Sequence, residues 1–352
     1  MSDKRPTRRR PSDRGLPLTR RLAITGGSAV ATLGVVLLLV VLVAVWLFAG
    51  PGPARQSTDV VLRQGAGLPE IAATLKREGA IGSSTVFLAA ASLTGAARHL
   101  KAGEYAFEPH ASMASVMGMI RRGEVVHHMV TIPEGLTSEA VVDVLANNAV
   151  LTGSAPIPPE GAILPETYEV RRGEDRAAVL QRMMDARDQL LAALWSQRRP
   201  DLPLSTPEEA VILASIVEKE TGLTDERPRV AAVFINRLQK GMKLESDPTV
   251  VYGLTRGVPL GHGMRESELQ SHTPYNTYVI TGLPPTPICN PGRASLAAVL
   301  DAPRTDELYF VANGTGGHSF ATTLEQHLAN VARWRAMEHE PPAPAAPSGA
   351  HP

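Results

Sequence analysis

The chain has 352 residues, 43% of them apolar, enough for a buried core and for two or three domains. Its 35 Lys and Arg balance 35 Asp and Glu, but eight of the bases crowd into residues 1–21, leaving 27 basic against 33 acidic residues from position 22 onward. A mildly acidic body excludes nucleic acid as the first-choice partner, and the single cysteine, Cys289, excludes a disulfide within the chain.

The basic arm, 1–21, runs into Leu22–Phe48, 27 residues without a charge. As a helix this run is about 40 Å long, enough to cross a ~30 Å hydrocarbon layer with some tilt. A cleaved signal peptide has a shorter apolar region, about 7–15 residues, so a retained single-pass anchor in the bilayer is expected. Arginines before the run, with Trp46 and Phe48 at its far end, place the N-terminus in the cytoplasm and the body outside the inner membrane.

Residues 49–57 read as a linker. From 58 to 151 three segments repeat one outline: a short strand, a polar or Gly-bearing turn, then an amphipathic helix. Their apolar residues fall at helical spacing: Leu68, Ile71 and Leu75; Met113, Val116 and Ile120; Leu136, Val141 and Leu145. The first segment continues through a helix near Ser84–Leu93 to "LKAGEYAF", giving strand–helix–helix–strand.

"PPEGAILPETYEV" opens a further domain, expected over 158–336. Helices are predicted at Arg176–Gln197, Thr206–Glu220, Pro228–Met242 and Leu324–Trp334. Lys243–Pro303, dense in Gly and Pro, reads as loop-rich, and "ELYFVANG" as a buried strand. Strands and helices in irregular order predict an α+β fold rather than a doubly wound sheet. Residues 337–352, rich in Pro and Ala, read as a disordered tail.

Chemistry concentrates in "ASIVEKETG". Thr206 or Ser205 can cap this helix, Pro207 suits its first position, and Glu208 and Glu209 suit the positive end of its dipole. Glu218 lies below Val211, Ala214 and Ser215, and Glu220 about 200° round the helix from it. Almost every position from Ala210 to Val217 is apolar, so both faces are expected to be covered. Two readings stay open for Glu218: a helix end emerging into water, or a buried acid of the kind that general acid catalysis uses. Asp247 before Pro248 reads first as a cap. Tyr275, Asn276, Thr277 and Tyr278 suit either a sugar cleft or an ordered loop. His318 and His327 match no standard zinc spacing, and neither phosphate-binding Gly motifs nor a serine elbow is present.

"ASIVEKET", "VFINRLQKGMKLESDPTVVYG", "YNTYVITGLPPTPICNPGRASLAAVL" and "YFVANGTGGHSFATTLEQH", in that order, resemble the endolytic murein transglycosylase (MltG, or YceG-like) family, most strongly from Leu164 to His327. Asp59–Phe107 resembles a LysM module, a βααβ fold that binds N-acetylglucosamine polymers, with a plain structural spacer as the other reading. The resemblance implies a transmembrane helix, a LysM-like module and a mixed α+β catalytic domain. It implies a lyase that cuts peptidoglycan strands internally, between N-acetylmuramic acid and N-acetylglucosamine, and leaves 1,6-anhydromuramyl ends. Peptidoglycan synthases become implied partners, and no metal or organic cofactor is implied. The family's catalytic glutamate falls on Glu218. Asp247, Tyr275, Asn276 and Thr277 are then expected to line the cleft, with Glu166 and Glu220 nearby. Where the family often has Asp in "LFPDTY", this chain has Glu166, whose carboxyl reaches one methylene farther. Two alternatives remain: a muramidase-type hydrolase, with Asp247 or Glu220 as second carboxylate, and a non-catalytic wall-binding scaffold for synthases.

Overall fold

The N-terminal apolar run forms one helix, α1 (Leu18–Ala49), in the computed structural model, which describes residues 18–338. Its stretch Ala31–Ala49 has a mean hydropathy of 2.9 and is wholly unburied. Among the described residues it is the one helix long and apolar enough to cross a membrane. The expected basic arm and Pro/Ala-rich tail lie outside the described residues, apart from their inner ends.

The chain divides between Val126 and His127 into two units. The first continues through β1 (Thr58–Leu62), α2 (Leu68–Arg77), α3 (Ser84–Leu93), β2 (Gly103–Phe107) and α4 (Met113–Arg122). β1 and β2 pair antiparallel, Thr58 opposite Phe107 and Leu62 opposite Gly103. Strand alternation turns Val60 and Leu62 inward, against Leu75, Phe87, Phe107 and Ile120. Tyr105 joins that core because its hydroxyl can donate to the Lys101 carbonyl at 2.8 Å, which removes the penalty of burying a phenol.

The second unit holds β3 (His128–Thr131), α5 (Ser138–Ala146), β4 (Thr167–Val170), α6 (Arg176–Ser196), α7 (Pro207–Glu220) and α8 (Arg227–Gln239). It goes on through α9 (Asp247–Thr255), α10 (Glu266–Leu269), α11 (Arg293–Leu300), β5 (Tyr309–Ala312), β6 (His318–Ala321) and α12 (Leu324–Glu338). The fold is mixed α+β, as expected. Its named strands form antiparallel two-stranded ribbons, β3 with β4 and β5 with β6, and the work of enclosure falls to helices.

α7 is the buried axis. Ala210, Val211, Leu213, Ala214, Ile216 and Val217 are all covered, and α6, α8, α9 and α11 pack round it. Its start is a reciprocal cap: the Thr206 hydroxyl accepts from the Glu209 N–H at 3.2 Å, and the Glu209 carboxylate accepts from the Ser205 N–H at 2.5 Å.

Lys243–Pro303 is loop-rich, with the short helices α9, α10 and α11 set among its loops. Pro248 stands in the first turn of α9, where a missing N–H costs nothing, so it starts a helix here. One sequence expectation needs correction. "ELYFVANG" is not a buried strand: β5 is half-buried along its length, because its hairpin partner β6 and α12 cover it only in part.

Candidate active site

Three loops meet the C-terminal end of α7 in the second unit. Ser215 bolts the helix to one of them: its hydroxyl accepts from the Ile288 N–H at 3.0 Å, while its carbonyl accepts from the Cys289 thiol at 3.4 Å. Asn290, fully buried, ties that loop to the other two. Its Oδ1 accepts from the Ile163 N–H at 3.0 Å, and its Nδ2 donates to the Leu136 carbonyl at 3.0 Å and the Ser138 hydroxyl at 3.2 Å. Backbone bonds from Gly135 N–H to the Asn290 carbonyl (3.0 Å) and from Asn290 N–H to the Leu136 carbonyl (2.8 Å) complete the lock. Gly135 takes φ +76°, a left-handed turn that sets Glu134 over the helix end.

Glu218 is enclosed by this arrangement, its side chain 4% exposed. Arg227, at the start of α8, donates from Nη2 to Glu218 Oε1 at 3.0 Å. The Gly292 N–H, at the cap of α11, donates to Oε2 at 2.9 Å, adding the positive end of a helix dipole. The same Arg227 nitrogen also donates to Glu134 Oε2 at 3.1 Å, so one guanidinium divides its charge between two carboxylates. Glu134 is much the more open of the two, with its side chain 39% exposed. Arg227 is almost covered, and its Nε is buried without a partner. A Cβ at residue 292 would meet the Glu134 carboxylate, which would have to move aside.

Glu220 meets a different environment. The Ser246 hydroxyl donates to its Oε1. Burial pushes this acid up to about 7, and Asp247 adds to the rise, against the opposing pull of the Ser246 bond and Arg237. Asp247 accepts from the Tyr278 hydroxyl at 2.7 Å, and burial and that bond together raise the phenol above its ordinary range.

Asp247 also lines two cavities. The larger, about 910 Å³, is walled by Leu136, Lys219, Val251, Tyr252, Arg256 and Met264, among others. The smaller, about 330 Å³, opens against Glu220. Of the residues expected in the cleft, Glu218, Glu220 and Asp247 gather round the end of α7 and the start of α9. Glu166, just before β4, pairs with Arg293 at 2.8 Å, one residue beyond Gly292. Tyr275 lines neither cavity: its hydroxyl shares a 2.9 Å bond with Thr286 and its ring lies 4.9 Å from that of Tyr252.

Asn276 and Thr277 are fully buried, with their polar atoms engaged in holding the loop. Asn276 Nδ2 donates to the carbonyls of Leu269 (2.9 Å) and Ser271 (2.7 Å), and its Oδ1 accepts from the Tyr278 N–H at 2.9 Å. The Thr277 hydroxyl accepts from the Ser246 N–H at 2.9 Å. Sequence reasoning missed Glu134, Arg227 and Gly292. "PEG" in "TIPEGLT", with a turn glycine, and "NPG" in "ICNPGRAS", whose glycine caps α11, were the available signals.

The YceG-like family model matches residues 60–333, more than half of the chain. The chain belongs to the YceG-like family. Among relatives, the endolytic murein transglycosylase of Streptococcus pneumoniae serotype 2 is 27% identical over 327 residues, covering 79% of this chain and 58% of that protein. That of Bacillus subtilis strain 168 is 33% identical over 172 residues, covering 48% of this chain and 46% of its own. The chain therefore spans about half the length of these curated relatives. A crystal structure of a yceG-like protein from Listeria monocytogenes is similar with a TM-score of 0.50 at 27% identity, covering 78% of this chain and 99% of that one.

Proposed function

We propose that this protein is a membrane-anchored, endolytic peptidoglycan lytic transglycosylase with Glu218 as its general acid and base. The observation that carries the reading is the setting of Glu218, a nearly buried carboxyl held at both oxygens by Arg227 and the Gly292 N–H. The names of the relatives supply the substrate class, a murein glycan.

A lytic cut needs one group to give a proton and then take one. Glu218 in its acid form protonates the glycosidic oxygen, and the leaving sugar departs with that proton. Positive charge develops at the anomeric carbon, where the sugar's own 2-acetamido group lies close enough to share it. The Glu218 carboxylate then accepts the proton of the 6-hydroxyl as that oxygen closes on the anomeric carbon. Glu218 is restored to its acid form, no water enters, and a 1,6-anhydromuramyl end results. Arg227 and the Gly292 N–H favour the carboxylate that exists between the two transfers. Because Arg227 also serves Glu134, its hold on Glu218 is partial. In this reading Glu220 and Asp247 lie in cavity walls within reach of the strand and Glu166, paired with Arg293, lies beside the Gly292 cap, while Tyr275, Asn276 and Thr277 support the loop.

Around this centre, α1 serves as a retained anchor with the body outside the cytoplasmic membrane. Thr58–Phe107, two antiparallel strands enclosing two helices, serves as a LysM-like module within 58–151. The catalytic part runs over 158–336, with Glu134 contributed from before it, and peptidoglycan synthases are the associated partners.

The muramidase-type alternative has one specific support. Glu134 and Glu218 touch the same nitrogen at 3.1 and 3.0 Å, so the two bonded oxygens are at most about 6 Å apart, a bound that admits the ~5–5.5 Å separation of retaining glycosidases. The deciding experiment is mass spectrometry of peptidoglycan digested by the full chain in detergent, beside its Glu218→Gln variant. Anhydromuramyl ends from the parent protein alone are expected. Reducing ends from the parent would overturn the lytic reading. No cleavage by the folded parent would favour the scaffold.

A further inference from the structure

We propose that Glu226, clamped by His318, is a positioning residue for the reaction: it fixes the start of α8 so that Arg227 reaches Glu218. That role rests on the reading of Glu218 given above, and it accounts for the "GTGGHSF" stretch that leads into β6.

Glu226 and Arg227 are consecutive, at the cap and the first position of α8, and their side chains part company. Arg227 reaches Glu218 and Glu134. Glu226 reaches the β5–β6 hairpin instead. Its Oε1 accepts from the His318 N–H at 2.9 Å and its Oε2 from His318 Nδ1 at 2.7 Å, so one histidine grips both oxygens. Desolvation opposes the charge on Glu226, but the His318 bonds and the nearby Arg229 outweigh it and hold the carboxyl below its ordinary range. Both oxygens therefore stay acceptors at neutral pH.

The hairpin is built to hold this grip. The His318 ring stands perpendicular to Phe310 with centroids 5.3 Å apart, and Phe310 stands perpendicular to Phe234 of α8 at 5.7 Å. The turn is closed by Asn313, whose Oδ1 accepts from the Thr315 N–H at 2.9 Å and the Gly317 N–H at 3.1 Å. Gly317 lets the backbone approach, since a Cβ there would meet the Glu226 carboxylate.

Further along α8, Arg229 pairs with Glu307, Asn236 Nδ2 donates to the Thr305 carbonyl at 2.8 Å, and Arg237 Nε donates to the Leu308 carbonyl at 2.7 Å. Glu226 is the tie nearest Arg227, one peptide unit away. Arg227 needs it, because Nη2 alone serves both carboxylates while Nε is buried without a partner. With no second anchor on the side chain, the place of the guanidinium follows the backbone that carries it. A misplacement of about 1 Å beside the reacting proton can cost about 10²-fold in rate.

His318→Phe keeps a ring and removes the Nδ1 donor. His318→Asn puts an amide nitrogen as many bonds from Cα as Nδ1 and can restore the donor. In peptidoglycan cleavage by the full chain in detergent, His318→Phe should lower kcat about 10–10²-fold with KM within about twofold, and His318→Asn should recover most of the loss. In an Arg227→Lys background His318→Phe should cost little more, because both changes act on one guanidinium. Should His318→Phe fail to fold, Gly317→Ala disturbs the same carboxylate from the backbone side and should repeat the loss. Losses that multiply, a change confined to KM, or a fall in Tm with kcat intact would overturn the role. A crystal structure of the same variant separates the two claims. Arg227 displaced from Glu218 upholds the positioning even where the parent cleaves nothing, a result that would remove the enzymatic reading alone. Arg227 still bonded to Glu218 overturns the positioning whatever the kinetics.

Discussion

At the end of α7, Glu218 faces a guanidinium and the N-terminus of another helix, whereas Glu220, two residues on, faces a serine hydroxyl and a second carboxylate. The turn of the helix sends the two side chains to opposite walls, so identical residues in one short motif meet opposite fields. Glu218 has donors on both oxygens, which in the proposed reaction would steady the carboxylate formed between the two proton transfers. Glu220 has burial and a neighbouring acid, which push its carboxyl up to about 7. The motif alone does not distinguish the two glutamates, and their surroundings do.

The widest gap between the two faces should appear in turnover. Glu218→Gln keeps the shape and loses the proton, so kcat should fall by about 10²–10⁴ with circular dichroism unchanged. Next comes the guanidinium. Arg227→Met leaves Glu134 and Glu218 facing each other without a cation and should lower stability by about 3–5 kcal/mol, read as a drop in Tm. Arg227→Lys should recover only part, since an ammonium cannot reproduce the forked geometry.

A smaller effect is expected at Gly292. Gly292→Ala drives a methyl group into the Glu134 carboxylate, at a cost of about 1–3 kcal/mol. Adding Glu134→Ala should relieve most of that steric cost, and a double-mutant cycle on Tm measures the relief. An absence of coupling would place Glu134 away from Gly292 and break the description of this face.

How much of this was legible in the sequence varies with the kind of contact. α7 and its cap follow from local pattern, a polar start and an apolar run, whereas the same pattern left the burial of Glu218 open against a helix end in water. Glu134 and Gly292 do not follow from it, because each meets the helix end across a long loop; Gly292 is 74 residues from Glu218, and Glu134 is 93 from Arg227. Periodicity carries no information over such separations. Asn276 and Thr277 show the opposite difficulty. Their side chains suit a sugar, but buried backbone groups of their own loop engage them instead. α9 and α11 were hidden by prolines and glycines that serve helix starts and caps.

The finest distinction concerns pH. Glu220 sits at about 7 in the folded chain against an ordinary 4.5, so the native state keeps a proton that the unfolded chain releases first. Its contribution is therefore full below about 4.5, falls as pH rises toward 7, and is level above that. Glu220→Gln should gain Tm relative to the parent as pH rises through that window, with the gain levelling off above it. A difference independent of pH would remove the raised acid from the account.

The account stands most directly on whether water enters the product. Digestion of peptidoglycan by the full chain in ¹⁸O-enriched water, followed by mass spectrometry of the new ends, measures this. The account predicts anhydromuramyl ends free of ¹⁸O. Reducing ends carrying ¹⁸O would contradict it and favour the muramidase-type hydrolase, whose second carboxylate would then be sought among Glu134, Glu220 and Asp247.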